Sequence, residues 1–179
     1  MFVLNNTTRL RPGQPWTDKN GTQHPGNWST WSKETLESYG IVEVAEDPKP
    51  DSTFYWVGQL GLDGKWTSTL RDLDDRKDGD DILSYGVKTE WIAKTKETAN
   101  SLLAPTDWQV IAKAERDRAV DSDIATYRAE VIKKCAAIEA AITACKDMDE
   151  FRALFNPPVD SDGKPTGNPP IHDWPELVS

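Results

Sequence analysis

The chain has very little of the chemistry that metal sites, disulfide scaffolds and membrane spans require. Its 179 residues include two cysteines and two histidines, and no apolar run reaches the roughly 18 residues that a membrane-spanning helix needs. His24 and His172 lie in Pro- and Gly-rich surroundings, so their spacing predicts no His–Cys metal cluster. Cys135 and Cys145 would lie about 15 Å apart on one helix. We therefore expect two free, buried thiols and no disulfide.

Acidic residues outnumber basic ones. The chain has 21 Lys and Arg against 30 Asp and Glu, for a net charge of -9. Binding to a phosphate backbone needs clustered cations, and an anionic membrane would repel this surface. The N-terminal residues contain only a three-residue apolar run, 2–4, which predicts no secretory signal. Nucleic acid and membrane partners are therefore not expected.

The sequence contains none of the compact catalytic motifs. It has no nucleophile elbow, zinc-protease helix, phosphate-binding loop or dinucleotide fingerprint. Carboxylate pairs of the glycosidase type have no local signature, so the sequence leaves that possibility open. The prediction is a protein that is not an enzyme and has no cofactor.

An aspartate-rich stretch, 72–81, invites a calcium hypothesis because six of its ten residues are Asp. The EF-hand frame nevertheless fails. Counted from Asp74, position 3 is Arg76 and position 12 is Tyr85, where the loop requires a bidentate Glu. We therefore predict no metal and interpret 76–84 as an acidic linker.

Tryptophan is the abundant residue in the first half of the chain, with six of the eight within the first 91 positions. Short apolar segments there alternate with turn residues, and residues 53–70 predict an antiparallel hairpin that brings Trp56 near Trp66. Ser32 predicts the start of a short helix that ends at Gly40. We predict a β-rich N-terminal module over 1–75, in which tryptophans either pack the core or form a contact surface.

Helical periodicity dominates from 85 to 156. Three helices are expected, to about Asn100, from Thr106 to Val120, and from 122 to about Lys146, with a short helix near 149–155. The third predicted helix has an apolar stripe at heptad-like spacing that packs either on the helix of Trp108 and Ile111 or on another chain. Residues 157–179 are Pro-rich and predict an irregular C-terminal segment. The fold class is therefore α+β: a small antiparallel β module, then an α-helical hairpin or bundle, then this segment.

Two segments resemble small tail-associated proteins of tailed bacteriophages, a group that includes tail-fibre assembly proteins. From Thr22 to Glu43 the chain has a Pro-x-Asn-Trp, a short helix and a Gly-Ile that begins a strand. From Trp91 to Arg128 it has Leu-Leu-x-x-Thr-Asp-Trp and then Tyr-Arg. Assembly chaperones of this type usually end in a short aromatic-proline segment soon after Tyr-Arg. Here the helix is longer, and a different ending follows.

The resemblance implies a non-enzymatic structural component of a phage tail, at the baseplate or tail-fibre attachment, that contacts other tail proteins. It would lie in the virion tail after assembly in the host cytoplasm, with fibre or baseplate proteins or further copies of itself as partners. One alternative is a tail-fibre assembly chaperone that is not retained in the virion. Another, from a different class, is a carbohydrate-binding module that recognises host glycans. Ten candidate interface residues follow from the aromatic content and the stripe: Trp28, Trp31, Trp56, Trp66, Trp108, Tyr127, Val131, Ile138, Ile142 and Trp174.

Overall fold

The computed structural model describes residues 1–177 and has an α+β fold, with short antiparallel strands first and helices after them. This confirms the predicted fold class. The chain divides into two compact units, Met1–Leu70 and Arg71–Ser179. The last two residues of the predicted C-terminal segment, Val178 and Ser179, lie outside the described residues.

The first unit contains seven short strands and one helix: β1 (Phe2–Leu4), β2 (Thr8–Leu10), β3 (Trp16–Thr17), β4 (Gln23–His24), α1 (Lys33–Ser38), β5 (Ile41–Glu43), β6 (Tyr55–Leu60) and β7 (Trp66–Leu70). Strands β2, β1 and β5 form an antiparallel sheet in that order, with β1 in the middle. Strands β3 and β4 form one hairpin, and β6 and β7 form another.

Local hydrogen bonds explain the turns that connect these elements. Asp18 Oδ1 accepts from the backbone N–H groups of Asn20 at 2.8 Å and Thr22 at 2.9 Å, which closes the β3–β4 turn. Ser32 Oγ accepts from the Thr35 N–H at 3.3 Å and so begins α1. The helix ends where Gly40 adopts φ +75°, a conformation that favours glycine.

The core of the first unit is small and aromatic. It consists of Leu10, Trp16, Trp28, Leu36 and Ile41, against which Phe2, Leu4 and Trp31 pack. The 3₁₀ turn Gly26–Thr30 carries the Trp28 indole into this core, where it is fully buried. The indole N–H donates to the Gln14 carbonyl at 2.8 Å, so burial leaves its polar atom satisfied. Trp16, Trp28 and Trp31 are thus part of one core.

The predicted hairpin over 53–70 is present, but its two tryptophans are not cross-strand partners. The register pairs Trp56 with Thr69 and Trp66 with Leu60, and an irregularity lies between Val57 and Leu60. Because two residues on a bulged strand oppose one on its partner, a bulge shifts every pairing beyond it. Alternation alone does not reveal such a shift.

The second unit contains two strands and four α-helices: β8 (Arg76–Asp78), β9 (Asp81–Ser84), α2 (Val87–Leu103), α3 (Asp107–Arg116), α4 (Ser122–Ala144) and α5 (Met148–Ala153). Strands β8 and β9 form a β-hairpin where the sequence predicted an acidic linker over 76–84. Gly79, at φ +60°, permits the tight turn, and the exposed strands leave their carboxylates in water.

Residues 71–75, which the sequence placed in the N-terminal module, belong to the second unit because they hold the start of α2. Arg71 forms an ion pair with Glu90. The N–H of Val87 donates to the Asp72 carbonyl at 3.0 Å. Asp75 Oδ1 accepts from the Gly86 N–H at 2.8 Å. These bonds supply partners for the helix N-terminus, which otherwise lacks them.

The main helix partner of α4 is α2, not α3, so one predicted packing is wrong. Tyr127 and Val131 of α4 form a core with Ala99 of α2, and Trp174 packs against it. The helix α3 is shorter than predicted because Asp117 adopts a left-handed conformation, φ +53°, after Arg116. A ten-residue α3 leaves the apolar stripe of α4 to the 17-residue α2.

The C-terminal segment is irregular, as the proline content predicts, but it is packed. Ile171 is buried, and its N–H donates to the Leu154 carbonyl at 3.2 Å. Asp173 forms an ion pair with Lys134 of α4. The Trp91 ring meets Phe155 edge-on at 4.8 Å between centroids and lies 6.1 Å from His172. The part of the segment from Ile171 to Trp174 therefore packs against the second unit, whereas residues 158–168 are exposed.

Candidate functional site: protein-contact surfaces

The two motifs of the helical resemblance meet in space. Arg128 Nη2 lies 2.9 Å from Asp107 Oδ1. Its Nη1 donates to the Leu103 carbonyl at 2.9 Å and to Thr106 Oγ1 at 2.7 Å. The Tyr127 hydroxyl reaches the Leu102 carbonyl at 3.4 Å. The Tyr-Arg pair thus joins α4 to the Leu-Leu-x-x-Thr-Asp segment between α2 and α3.

This network replaces the usual cap of α3. The Thr106 hydroxyl donates back to the Leu103 carbonyl at 2.8 Å and does not cap the helix. Gln109, on the first turn of α3, is buried and exchanges two bonds with Asp121: Gln109 Nε2 donates to Oδ2 at 2.8 Å, and the Asp121 N–H donates to Gln109 Oε1 at 2.9 Å. Polar side chains therefore fix how α3 is rotated about its axis.

That rotation turns the apolar side chains of α3 to solvent. Trp108 is 52% exposed and Ile111 is 54% exposed, and residues three apart share one face of a helix. Val110, on the adjacent face, is also exposed. Arg118 lies over the Trp108 ring at 5.5 Å from its centroid and covers part of it. We call Trp108, Val110 and Ile111 the α3 surface.

The α3 surface groups three exposed apolar side chains on one helix, which keeps them next to one another. Single exposed apolar residues are normal, whereas grouped ones mark contact sites. Tryptophan is also the residue that contributes most often to interface energy. Within residues 1–177, exposed apolar side chains also occur on the β8–β9 hairpin and beside it, at Ile82, Leu83 and Tyr85.

Five of the ten predicted interface residues are buried within their own unit. Trp28 fills the core of the first unit, and the other four line the buried side of α4: Tyr127, Val131, Ile138 and Ile142. They build the fold and present no surface in this conformation. The stripe of α4 is therefore internal, but it packs on α2 and not on the helix of Trp108 and Ile111 that the sequence predicted.

The other five have different surroundings. Trp56 is 58% exposed on β6, and Trp108 lies on the α3 surface. Trp31 is half-buried beside Tyr39, with the ring centroids 5.5 Å apart. The half-buried Trp66 donates through its indole N–H to the Asp47 carbonyl at 3.1 Å. Trp174 is half-buried against the α2–α4 core.

A histidine–carboxylate pair in the first unit is structural in its surroundings. His24 Nε2 lies 3.2 Å from Asp18 Oδ2, and the His24 ring stacks on Trp16 at 4.5 Å. The hydrogen bond from the Thr22 N–H, and to a smaller extent the one from His24, hold the pKa of the Asp18 carboxyl below its usual range. The same carboxylate closes the hairpin turn, so this pair fixes β3 against β4.

The two thiols are free. Burial raises the pKa of the Cys135 thiol to about 11, and the nearby Glu139 carboxylate, which accepts its S–H at 3.2 Å, adds to the shift. Burial also raises the pKa of Cys145. A nucleophilic or metal-binding cysteine needs the opposite shift. Among residues 1–177, no three His, Cys, Asp or Glu side chains come together as a metal site.

Sequence reasoning missed Thr106, Gln109 and Arg128 as the residues that orient the candidate surface. The signal was present in the Thr-Asp and Tyr-Arg motifs, but a one-dimensional pattern does not show that the two meet. No helix in the described part of the chain has the length and apolar content to cross a membrane. No family model, no curated protein and no solved structure matches the chain.

Proposed function

We propose that the chain is a non-enzymatic component of a phage tail, at the baseplate or tail-fibre attachment, that works by protein–protein contact. Its partners are other tail proteins, and it belongs to the virion tail after assembly in the host cytoplasm. The observation that carries the proposal is the α3 surface, held outward by the same Tyr-Arg and Thr-Asp residues on which the resemblance to phage tail proteins rests.

The physical argument is that apolar side chains of α3 left in water cost free energy unless a partner covers them. Ile111 and Trp108 remain more than half exposed in the isolated chain, and Gln109 and Arg128 keep them pointed at solvent. Contact with an apolar patch of a partner would remove both side chains from water and release about 25 cal/mol per Å² of buried apolar surface. The net charge of -9 favours a protein partner over nucleic acid.

Quantitative mass spectrometry of purified phage particles is the first test. The proposal expects this chain at a symmetric multiple of the tail, such as about three, six or twelve copies. Its absence from particles, together with abundance in the lysate of infected cells, would overturn the structural role. That result would instead support a tail-fibre assembly chaperone.

A charge placed on the α3 surface tests which face makes the contact. Ile111→Lys should lower incorporation into particles because a lysine desolvated at an interface has no partner. The matched control is Ile132→Lys, on the exposed side of α4, where the isoleucine is 57% exposed. Equal incorporation of both variants would show that the α3 surface is not the contact.

Glycan binding is a second candidate, favoured by one observation. Trp56 lies 58% exposed on a β-strand, where an indole ring can stack on a sugar. Host polysaccharide should then quench tryptophan fluorescence in the parent chain but not in Trp56→Ala. Trp108→Ala is the control, because it removes an equally exposed indole from the other unit. Quenching that persists in Trp56→Ala would exclude this strand as the sugar site.

A further inference from the structure

The outer edge of β5 is a free strand edge. The Val44 N–H donates to the Met1 carbonyl at 2.8 Å, and the Asn5 N–H donates to the Gly40 carbonyl at 2.8 Å. Residues 40 and 44 therefore face β1, and so does Val42, which pairs with Val3. Because neighbouring residues in a strand alternate, Ile41 and Glu43 direct their N–H and C=O groups away from β1. No backbone group within residues 1–177 pairs with them.

A cleft of about 770 Å³ lies beside this edge. One wall is β5 with the residues that follow it, and the other is Trp31 with α1, which contributes the exposed Lys33 and the buried Leu36. Side chains on the cleft side of an added strand would enter this space next to Trp31. The site thus has both parts that strand addition needs: unpaired backbone groups and a pocket for alternate side chains.

Charge selects the occupant. Of the carboxylates that line the cleft, Glu37 lies 3.8 Å from Lys33 Nζ, and Glu46 lies 3.6 Å from Arg9 Nη2. Glu43 is exposed and forms no ion pair with any residue of the described part. It is also one of the two residues whose backbone groups are free. A cation directly opposite Glu43 on an added strand would be the complementary partner.

We propose that the β5 edge and its cleft bind a short, extended, basic segment of a partner protein by β-strand addition. An apolar residue of the segment lies opposite Ile41, towards Trp31, and a Lys or Arg lies opposite Glu43. Antiparallel pairing at Ile41 and Glu43 forms up to four backbone hydrogen bonds, two with each residue. This inference rests on the proposed function, because it names what a tail protein would present to the chain.

The probe is the synthetic peptide acetyl-Thr-Lys-Thr-Leu-Thr-amide, in which antiparallel pairing places Lys opposite Glu43 and Leu opposite Ile41, added to the full chain labelled with ¹⁵N. Binding should shift the amide resonances of Ile41 and Glu43 and slow their hydrogen exchange. The same peptide with N-methyl groups on its three central amides keeps the charge but cannot pair with the edge, and it should not bind. Equal binding of the methylated peptide, or no binding of the parent peptide, would overturn the proposal.

Variants separate the charge from the backbone. Glu43→Gln keeps the N–H but loses the charge, and it should weaken binding about 1.4- to 5-fold, the range of a cross-strand ion pair. Glu43→Pro also removes the outward N–H, and it should abolish binding. Glu97→Gln, an exposed carboxylate on α2, is the control and should bind as the parent does. An unchanged affinity in Glu43→Gln would refute the basic occupant.

Two further outcomes identify other occupants. Concentration-dependent shifts at Ile41 and Glu43 without peptide would show a second copy on the edge and overturn the choice of a partner segment. Tighter binding of a peptide with Glu in place of Lys would overturn the proposal that the bound segment is basic. Peptide binding by a chain that is absent from particles would leave this inference standing and remove only the structural role in the virion.

Discussion

The helices α3 and α4 have similar apolar spacing, but α4 buries its apolar side chains and α3 exposes them. In α4, Val131 and Ile142 are 0% exposed against α2 and its neighbours, whereas in α3, Trp108 and Ile111 are more than half exposed. Helical periodicity shows that a face is apolar, but it does not show what covers that face. The covering depends on which helix lies alongside.

The two helices are also attached to the fold by different kinds of contact. Apolar packing fixes α4, while polar side chains fix α3 through Gln109 to Asp121 and Arg128 to Asp107. Because polar side chains attach α3 to the fold, its apolar side chains stay available for contact with a partner. The comparison therefore assigns α4 to stability and α3 to contact, and each assignment can be broken by substitution.

The largest effect is expected for Val131→Asp. The valine is fully buried, and within residues 1–177 the α2–α4 core around it consists mainly of apolar side chains, so the carboxylate would be desolvated without a partner. We expect a loss of about 4 kcal/mol in the free energy of unfolding, measured by urea denaturation. Ile132→Asp, one position on and 57% exposed, is the control and should cost less than about 1 kcal/mol. Similar costs at both positions would break the assignment of α4.

The next effect is expected for Arg128→Met, which keeps the length of the side chain but removes its bonds to Leu103, Thr106 and Asp107. Hydrogen bonds to a charged group contribute about 1.5–3 kcal/mol, and Asp107 is partly exposed, so we expect a loss of about 2 kcal/mol. Hydrogen exchange should accelerate in α3 more than in α4. Arg116→Met, an exposed arginine of α3, should leave both quantities unchanged. Uniform acceleration across both helices would show that Arg128 stabilises the unit as a whole.

The sequence predicted the elements better than their arrangement. Ser32 and Gly40 marked α1, and Pro105 marked the break between α2 and α3, because caps and breakers act over a few residues. The partner of α4 and the packing of the C-terminal segment depend on contacts between distant residues, such as Asp173 with Lys134, which no local pattern contains. The acidic stretch was misassigned because its charge, typical of a linker, outweighed the weaker turn signal of Gly79.

The sequence does not distinguish buried tryptophans from exposed ones. Trp28 and Trp108 are both candidate interface residues by their residue type, although one ring is fully buried and the other is half exposed. Trp28 is buried because its ring fills the first core while the Gln14 carbonyl accepts from its indole N–H. Those two conditions come from residues far apart in the chain.

A smaller, pH-dependent effect is expected at the start of α2. The hydrogen bond from the Gly86 N–H, and to a smaller extent the one from the Thr89 side chain, lower the pKa of the Asp75 carboxyl. A carboxyl whose pKa is lower in the folded state stabilises that state above its unfolded pKa, and the contribution is lost as pH falls through the folded pKa. Asp75→Asn should therefore lower Tm at neutral pH by less than Arg128→Met does. The difference from the parent should shrink in strongly acidic solution, and a difference that persists there would locate the effect in geometry and not in charge.

The smallest effect on stability is expected for Trp108→Ala. The ring is about half exposed, and its contact with Arg118 contributes on the order of 0.5–1 kcal/mol, so the free energy of unfolding should fall by less than about 1 kcal/mol. Trp28→Ala removes the same side chain from a filled core and should cost about 4 kcal/mol. Because the two substitutions are chemically identical, the ratio of their costs measures burial directly. A large cost at Trp108 would mean that α3 needs its apolar face for folding, and the α3 surface would then be part of the core and no contact site.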